Sequence, residues 1–163
     1  MKKLDDVDRK ILDILIDNTR TPFTDIAKRL LISAGTVHVR VKKMEDLGII
    51  KGSSLTLDYK SLGYNFIAYV GVLIDRSRRT YEIIEELKKK PYVTVAHITT
   101  GKYNIFCKIR AKGTEHAREI IFSIDDVEGV LRTETMISLE ESINDKKRFC
   151  LLYTSPSPRD TIR

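Results

Sequence analysis

A cluster of basic side chains between residues 28 and 43 is the part of the sequence best suited to chemistry with a charged partner. Lys28, Arg29, Arg40, Lys42 and Lys43 fall in this stretch, which contains no Asp or Glu. Lysine and arginine neutralise nucleic-acid phosphates and release the counterions around them. Each of the five is therefore a candidate for contact with a phosphate of duplex DNA.

One helix is predicted to carry three of these cations. Ser33 is a suitable N-cap, because its hydroxyl can accept a hydrogen bond from a free amide of the first turn, and Gly48 is typical of a helix stop. Apolar residues between them recur at steps of three and four, which indicates one inward face. These residues are Val37, Val41, Met44 and Leu47.

If this helix enters the major groove, the outward residues near its start face the base edges. The base-reading candidates are Gly35, Thr36, His38 and Val39, and Ser33 is also a candidate for DNA contact. The alternative is a helix face that is only solvated, since exposed clusters of Lys and Arg are common on protein surfaces. His38 taken alone is more often a surface histidine than a residue that reads a base.

Composition is that of an ordinary globular protein. The chain has 163 residues, of which 42% are hydrophobic and 32% charged, and its net charge is +6. Residues 1–64 hold 12 basic and 9 acidic residues, residues 65–144 hold 12 of each, and residues 145–163 hold 5 and 2. Half of the excess charge therefore lies in the tail, so the local basic cluster supports nucleic-acid binding better than the total does.

Several classes of protein are disfavoured. The first residues lack the apolar run of a secretory signal, and no window reaches the roughly 20 apolar residues of a membrane span. We therefore expect a cytoplasmic protein. Its two cysteines, Cys107 and Cys150, have no metal-ligand spacing and no disulfide framework. Neither a metal nor a cofactor is expected.

The basic helix is predicted to be the third of three. A first amphipathic helix covers about residues 4–15, with acidic residues in its first turn. Thr21 followed by Pro22 has the form of an N-cap with proline at the first helical position, so a second helix should run to about Leu31. A tight turn then leads to Ser33, which makes a helix-turn-helix unit. Residues 49–57 are interpreted as two short strands around Gly52 that form a wing.

A second periodic region is predicted after a linker at residues 58–64. Its elements alternate as strand, helix, strand, strand, helix, strand, over residues 65–74, 80–90, 92–100, 103–111, 114–126 and 130–139. This βαββαβ order is ferredoxin-like. The fold class is therefore α+β, with a winged helix-turn-helix domain at 1–57 and a ferredoxin-like domain at 65–144. The expected inward residues of its two helices are Tyr81, Ile84 and Leu87, then Ala117, Ile120, Ile121 and Ile124.

The first strand of this region is apolar on both faces. Its residues alternate between one set, Phe66, Ala68, Val70, Val72 and Ile74, and another, Ile67, Tyr69, Gly71 and Leu73. Two helices can cover only one face of a four-stranded sheet, and the open side of an antiparallel sheet in a monomer is usually polar. We therefore expect a homodimer that forms through the uncovered face.

From about Leu4 to Asn144 the chain resembles the Lrp/AsnC, or feast/famine, family of transcription regulators. The matching motifs, in order, are Leu4-Asp-Asp-Val-Asp-Arg-Lys-Ile-Leu12, Ile26-Ala27, Ser33, Thr36-Val37, Arg40-Val41, Gly48-Ile-Ile-Lys-Gly52, Leu62-Gly63-Tyr64, Thr100-Gly101 and Ser138-Leu139-Glu140. The resemblance implies a DNA-binding winged helix-turn-helix and a ligand-sensing domain. It also implies dimers that assemble into tetramers, octamers or higher forms, and an amino acid or related metabolite as effector.

The resemblance places the effector at the turn around Gly101, where glycine permits a backbone conformation that other residues resist. The ligand-binding candidates that it implies are Gly101, Tyr103, Asn104, Thr133 and Thr135. The family usually has Asp where this chain has Asn104. An amide makes a neutral hydrogen bond, which is weaker than the pairing of a carboxylate with an ammonium group. A plain hairpin turn is the alternative interpretation.

Two other functions are alternatives to DNA-binding regulation. Some proteins of similar architecture decarboxylate sirohaem-type tetrapyrroles, which would require His and Arg around a pocket. The three histidines, His38, His97 and His116, fall on different predicted elements, and no carboxylate pair accompanies them. We therefore expect no enzymatic activity. A sensor partner that does not bind DNA is the second alternative.

The end of the chain departs from the family pattern. Residues 145–163 contain two prolines and several hydroxyl residues without periodicity. The two interpretations are a non-native sequence derived from cloning or sequencing-adapter DNA and a natural disordered basic tail.

Overall fold

The computed structural model describes residues 4–145. The chain divides into two compact units: the second covers Thr56–Ser142, and the described residues up to Leu55, with residues 143–145, belong to the first. Residues 146–163 lie outside the described part, so the two interpretations of the tail stay predictions. Among residues 4–145 there is no helix whose length and apolarity would let it span a bilayer.

The first unit contains three helices: α1 (Asp6–Asp17), α2 (Phe23–Leu30) and α3 (Ala34–Asp46). Their inward stripes meet in one apolar cluster, which contains three of the four predicted inward residues of α3; the fourth, Leu47, is half-buried at the end of the helix and is not in the cluster. The buried members of this cluster are Ile11, Leu12, Ile26, Ala27, Val37, Val41 and Met44. A helix-turn-helix unit is thus confirmed, because each short helix is stabilised by the face that it buries against the other two.

The ends of α3 follow from its two predicted caps. The Ser33 hydroxyl accepts a hydrogen bond from the Thr36 backbone N–H at 3.0 Å. At the other end Gly48 adopts a left-handed conformation with φ of 68°, and its N–H donates to the Glu45 carbonyl. Both ends of α3 were therefore predicted correctly from the sequence.

The predicted cap of α2 was wrong. Thr21 is buried, and its hydroxyl donates to the Asn18 carbonyl at 2.8 Å instead of accepting from an amide of α2. Pro22 is the N-cap residue, and its carbonyl accepts from the Asp25 and Ile26 amides. The hydroxyl is already used in the turn that ends α1, so the helix begins one residue later.

The prediction that residues 49–57 form the two strands of a wing was also wrong. Ile49 and Ile50 both donate their amides to the Met44 carbonyl and pack against the helical core. Residues 51–58 form no strand. Leu55 and Leu57 remain exposed, so a hairpin here would bury no apolar face, and an isolated two-stranded hairpin is at best marginally stable.

The second unit has the predicted βαββαβ order. Its elements are β1 (Phe66–Ile74), a 3-10 turn (Ser77–Arg79), α4 (Thr80–Lys88), β2 (Val93–Ile98), β3 (Ile105–Ala111), α5 (Thr114–Asp125) and β4 (Val130–Ile137). The antiparallel sheet has the strand order β2-β3-β1-β4. This arrangement confirms the ferredoxin-like domain.

The core of the second unit lies between the two helices and one face of the sheet. Its buried residues on β1 and β3 are Ala68, Val70, Val72, Ile74, Ile105, Cys107, Ile109 and Ala111. The helices contribute Ile83, Leu87, Ala117, Ile120 and Ile124. Tyr81 was wrongly predicted to face inward; it is 74% exposed, because Ile83 occupies the inward position on that turn of α4.

The predicted linker packs against the second unit. The Arg110 guanidinium lies 4.4 Å from the centre of the Tyr59 ring, and the Lys112 ammonium lies 5.8 Å from that of Tyr64. Tyr64 also stacks on Tyr92 at 6.4 Å. Cation–π and stacking contacts therefore hold residues 58–64 in place.

Candidate functional site

The outward face of α3 presents a mixed apolar and polar stripe. Gly35, His38, Val39 and Lys42 are exposed, and Val39 is 66% exposed. These positions are three or four residues apart, so they line one side of the helix, opposite the buried Val37. The stripe therefore offers a partner both an apolar side chain, Val39, and a hydrogen-bonding one, His38.

Two hydroxyl candidates are already engaged at the start of α3. The Ser33 and Thr36 hydroxyl oxygens are 2.8 Å apart, and Ser33 also caps the helix. Thr36 is half-buried. Their hydroxyls therefore stabilise the first turn of α3, beside the exposed Gly35.

The basic residues differ in how they are held. Lys28 and Arg29 are exposed in the last turn of α2. Lys42 forms a salt bridge of 2.9 Å with Asp46, which raises its pKa, and both side chains are exposed. The Lys43 ammonium lies 3.9 Å from a carboxylate oxygen of Asp8. The Lys42–Asp46 pair is exposed on both sides and therefore weak, so Lys42 can exchange its carboxylate for a phosphate at little cost. Lys43 is exposed, although its partner Asp8 is buried.

Arg40, one of the five predicted phosphate contacts, is largely covered by the start of α1. Its Nη1 atom donates to Asp5 Oδ2 at 2.6 Å and to Asp8 Oδ1 at 3.0 Å. The side chain is 28% exposed, and that of Asp8 is completely buried. Arg40 therefore joins α3 to the start of α1 within the first unit, and both carboxylates raise its pKa.

The acidic first turn of α1 was predicted, but the roles of Asp5 and Asp8 as partners of Arg40 were not. Asp5 caps α1 by accepting from the Asp8 amide at 2.8 Å, and Asp8 accepts from the Asp5 amide at 3.2 Å. Such a reciprocal capping box has a sequence signature: a capping residue, two others, and then a carboxylate or amide before an apolar stripe. That signal was present, but it does not reveal that Arg40 closes the pair.

The predicted effector loop contains one glycine in a special conformation. Gly101 has φ of 95° and is exposed, as expected of a turn. Asn104 is tied into the sheet, because its Oδ1 accepts from the Ile74 amide at 3.1 Å and its own amide donates to the Val72 carbonyl at 3.0 Å. Asn104 thus completes the backbone pairing at the end of β1.

Tyr103 lies on the face of the sheet away from the helices. Its hydroxyl donates to Glu134 Oε2 at 2.6 Å, and the same oxygen accepts from the Lys102 ammonium at 2.6 Å. Arg132 adds a salt bridge of 3.1 Å to Glu134. These cations and the hydroxyl lower the pKa of Glu134. No sequence signal had marked Glu134 as a centre of contacts.

The structure does not bring the five predicted ligand residues together in one subunit. Thr133 pairs with Val72 and Thr135 with Val70, whose side chains are buried under the helices. Residues directly opposite in a ladder share a face. The two threonines therefore lie on the helix side of the sheet, and Tyr103 lies on the other side. Thr135 lines an apolar hollow of about 290 Å³ beside α5.

The open face of the sheet is aromatic at its centre. Tyr69 stacks on Phe106 with ring centres 5.8 Å apart, and Tyr103 lies 6.1 Å from Phe106. Lys108 and Glu141 form a salt bridge of 2.8 Å, with only 17% and 28% of their side chains exposed. The prediction that β1 has an apolar second face thus agrees with its side-chain pattern.

The histidines lie on separate elements, as the sequence indicated. His38 is on α3, where its ring is 6.0 Å from that of Phe23, and His97 is on β2. His116 is on α5 and accepts from the Lys112 amide. Within residues 4–145 no group of three or more His, Cys, Asp or Glu residues is arranged to hold a metal ion.

Both units match models of known domain families. Residues 4–51 match the winged helix-turn-helix DNA-binding model, and residues 67–147 match the Lrp/AsnC ligand-binding domain. The regulatory protein AsnC of Haemophilus influenzae is 34% identical over 144 residues, covering 88% of this chain and 96% of the relative. AsnC of Escherichia coli K12 is 33% identical over 141 residues, covering 86% and 93%.

Solved structures agree. The structure of Escherichia coli AsnC superposes with a TM-score of 0.84 at 32% identity, covering 87% of this chain and 96% of that chain. A Neisseria meningitidis transcriptional regulator in complex with L-Met has the same fold, with a TM-score of 0.83 at 22% identity, covering 89% and 96%. These matches give no support to the enzymatic alternative. The chain therefore belongs to the Lrp/AsnC family of transcription regulators, in which a helix-turn-helix DNA-binding domain precedes a ligand-binding domain.

Proposed function

We propose that this protein regulates transcription by inserting the N-terminal half of α3 into the major groove of a specific duplex. The observation that carries this proposal is the exposed stripe of Gly35, His38 and Val39 on a capped helix with cations beside it. Base contacts come from this stripe and from Thr36, and Ser33 lies at its start. Phosphate contacts come from Lys28, Arg29, Lys42 and Lys43.

The charge order along α3 favours this orientation. Glu45 and Asp46 occupy its last turn, where they would repel phosphates, and its first turn has no acidic residue. The free amides at a helix N-terminus also favour negative charge nearby. The start of the helix is therefore the end that approaches the duplex, as in other helix-turn-helix proteins.

The test is selection of duplexes from a random-sequence pool by the purified protein, followed by titration of the enriched duplex. Lys43→Ala should weaken binding to the enriched duplex and to a scrambled duplex by the same factor. It should also lower the slope of log K against log salt by about one. Lys88→Ala, which removes an equal charge from α4, is the matched control and should leave the slope unchanged.

Failure to enrich any sequence would contradict sequence-specific regulation. An unchanged slope for Lys43→Ala would remove that residue from the interface. Binding of no duplex at all, with the protein folded, would favour the alternative of a sensor partner that acts without DNA contact.

A homodimer that forms through the open face of the sheet is part of the proposal. Tyr69 and Phe106 give that face an aromatic centre that a second subunit would cover. Two subunits would then present two α3 helices to two half-sites. Further assembly of dimers into tetramers or octamers would follow the family pattern.

A charge placed on the open face tests the dimer. Tyr69→Glu should lower the mass measured by light scattering from that of a dimer, or a multiple of it, to that of one chain. Tyr81→Glu on the exposed side of α4 is the control, and its mass should not change. A wild-type protein that is monomeric at micromolar concentration would contradict the dimer.

The effector is proposed to be an amino acid, since related regulators from Neisseria meningitidis and Mycobacterium tuberculosis have been solved with L-methionine. The proposed contacts are Gly101, Tyr103, Asn104, Thr133 and Thr135. Tyr103 and the two threonines lie on opposite faces of one sheet, so a site that used all five residues would include more than one subunit. Thermal shifts with each of the twenty amino acids test this idea, and a flat response to all of them would contradict it.

Each segment of the chain is proposed to have its own role. Residues 1–57 are proposed to bind DNA, residues 58–64 to connect the domains, and residues 65–144 to sense the effector and assemble the oligomer. The cytoplasm is the proposed location, because the DNA that the family regulates is there.

For residues 145–163 we propose a non-native origin. Resequencing of the gene past Asn144 tests this proposal, and an identical ending would contradict it.

A further inference from the structure

We propose that Arg40 is a positioning residue for DNA recognition: with Asp5 and Asp8 it fixes the rotation of α3 against α1 and contacts no phosphate. The inference rests on duplex binding through α3. It assigns a different role to the arginine that the sequence placed among the phosphate contacts.

Arg40 is tied to the start of α1 by two directional, charge-assisted hydrogen bonds. One atom, Nη1, donates to carboxylates of two residues, at 2.6 Å to Asp5 and at 3.0 Å to Asp8. These carboxylates also accept from each other's backbone amides. The start of α1 and the middle of α3 are therefore joined by hydrogen bonds that span 32 and 35 residues of sequence.

The Asp8 side chain has no exposed surface. A buried carboxylate needs charged or polar partners, and removal of its cation leaves it uncompensated. Arg40 is the nearest cation to Asp8, since the Lys43 ammonium is 3.9 Å away. Turning Arg40 outward to reach a phosphate would therefore remove the hydrogen-bonded cation from Asp8 and leave only the more distant Lys43 beside the buried carboxylate.

The geometry of the stripe explains why this contact bears on recognition. Val37, Val41 and Met44 hold α3 through apolar packing, whereas the Arg40 contacts are charge-assisted hydrogen bonds, which add a specific geometry to the helix contact. Arg40 follows Val39 directly and lies one turn after Thr36. A rotation of α3 that broke the Arg40 pairing would move both base-reading positions together.

Electrostatics agree with the geometry. The Arg40 guanidinium holds the pKa of Asp5 at about 2, against an ordinary value of 3.8, and both carboxylates raise the pKa of Arg40. The pair is therefore fully charged at neutral pH. Two acidic partners also cancel the positive charge that Arg40 would otherwise offer to a duplex.

Arg40→Gln and Lys42→Ala separate positioning from phosphate contact, because each removes one positive charge from α3. Binding is measured by fluorescence anisotropy as a function of salt, on the duplex enriched by the wild-type protein and on a scrambled duplex. For Arg40→Gln we expect the ratio of the two affinities to fall about tenfold or more, with the salt slope unchanged. For Lys42→Ala we expect the slope to fall by about one and the ratio to stay constant.

Asp8→Asn combined with Arg40→Gln removes the buried charge together with its partner, so it replaces the single variant if that variant fails to fold. The same loss of ratio at constant slope is expected. A slope lowered by about one would overturn the proposal, because it would show that Arg40 neutralises a phosphate. An unchanged ratio in the folded variant would also overturn it, since the pair would then serve stability alone.

The wild-type titrations distinguish this inference from the proposed function. If the wild-type protein enriches no duplex, the proposed function fails and this inference fails with it. If it does enrich one and the Arg40 variants behave as Lys42→Ala does, only the positioning role fails.

Discussion

The ring of Tyr103 covers Gly71 so closely that a Cβ on residue 71 would lie 2.5 Å from its Cδ1 atom. Gly71→Ala would therefore displace the ring and weaken its hydrogen bond to Glu134. We expect a loss of about 1–3 kcal/mol in the free energy of unfolding, as for other insertions into packed sites. Urea unfolding followed by far-UV circular dichroism measures it.

Gly113→Ala is the control for this substitution, because no atom lies within 4 Å of a Cβ built there. Its effect should stay within about 0.5 kcal/mol. In a Tyr103→Ala background the cost of Gly71→Ala should largely disappear, since the clashing ring is gone. An equal cost in both backgrounds would show that the ring is not the cause.

The first unit should lose stability in acid through Asp5. Its pKa is lowered from 3.8 to about 2, first by the hydrogen bond from Arg40. The stabilisation is therefore complete above pH 3.8 and is lost as the pH falls from 3.8 toward 2. Asp5→Asn keeps a capping side chain but removes this titration. Hydrogen exchange of the Val41 amide, measured across that range, reports the stability of the first unit.

Between the wild-type protein and Asp5→Asn, the stability difference should shrink as the pH falls through this window. Other carboxylates titrate in both proteins and cancel in the comparison. Two parallel stability curves would contradict the assignment of this acid sensitivity to Asp5.

Leu31 should be a site where substitution stabilises the protein. Within residues 4–145 it is the one non-glycine residue with positive φ, at 56°, and the residue is 92% exposed in the turn before α3. This backbone conformation is sterically unfavourable for leucine, and the exposed side chain gains no stabilisation from burial. Leu31→Asn should raise the free energy of unfolding by up to about 1 kcal/mol, because asparagine tolerates left-handed backbone.

Leu139→Asn is the matched control for Leu31, since Leu139 is 98% exposed and is not among the residues with positive φ. It should give no gain in thermal unfolding. Equal gains from both variants would indicate a general effect of removing exposed leucine instead of relief of backbone strain.

Cys107 should be unreactive in the folded protein. The thiol is buried in the sheet core, and burial raises its pKa to about 11. The reactive thiolate is therefore scarce near neutral pH. In a Cys150→Ser variant, where Cys107 is the remaining thiol, a disulfide reagent should react slowly until urea unfolds the chain. Rapid labelling of the native protein would contradict this.

Local signals made much of the fold predictable. The Ser33 cap, the left-handed Gly48 and the apolar stripe between them each act within one helix, so the sequence placed α3 almost to the residue. The wing failed for a tertiary reason. Ile49 and Ile50 satisfy their amides at the end of α3, and no sequence period distinguishes that use from a short strand.

The candidate sites were harder to predict because they depend on contacts between distant segments. Arg40 meets Asp8 across 32 residues, and a charge count within 28–43 does not include that carboxylate. Likewise, Thr133 and Tyr103 belong to opposite faces of the sheet, and this depends on the register of β4 against β1. The side chains of β4 have no clear alternation, so the face was not readable from the sequence.

The strand order determines when the sheet can be completed during synthesis of the chain. β1 pairs with both β3 and β4, so the sheet is complete only when Ile137 has been synthesised. The apolar cluster of the three helices is complete at Ile50. On a ribosome, the first unit can thus close over its core while β1 still waits for its second neighbour, with its apolar faces open to chaperones.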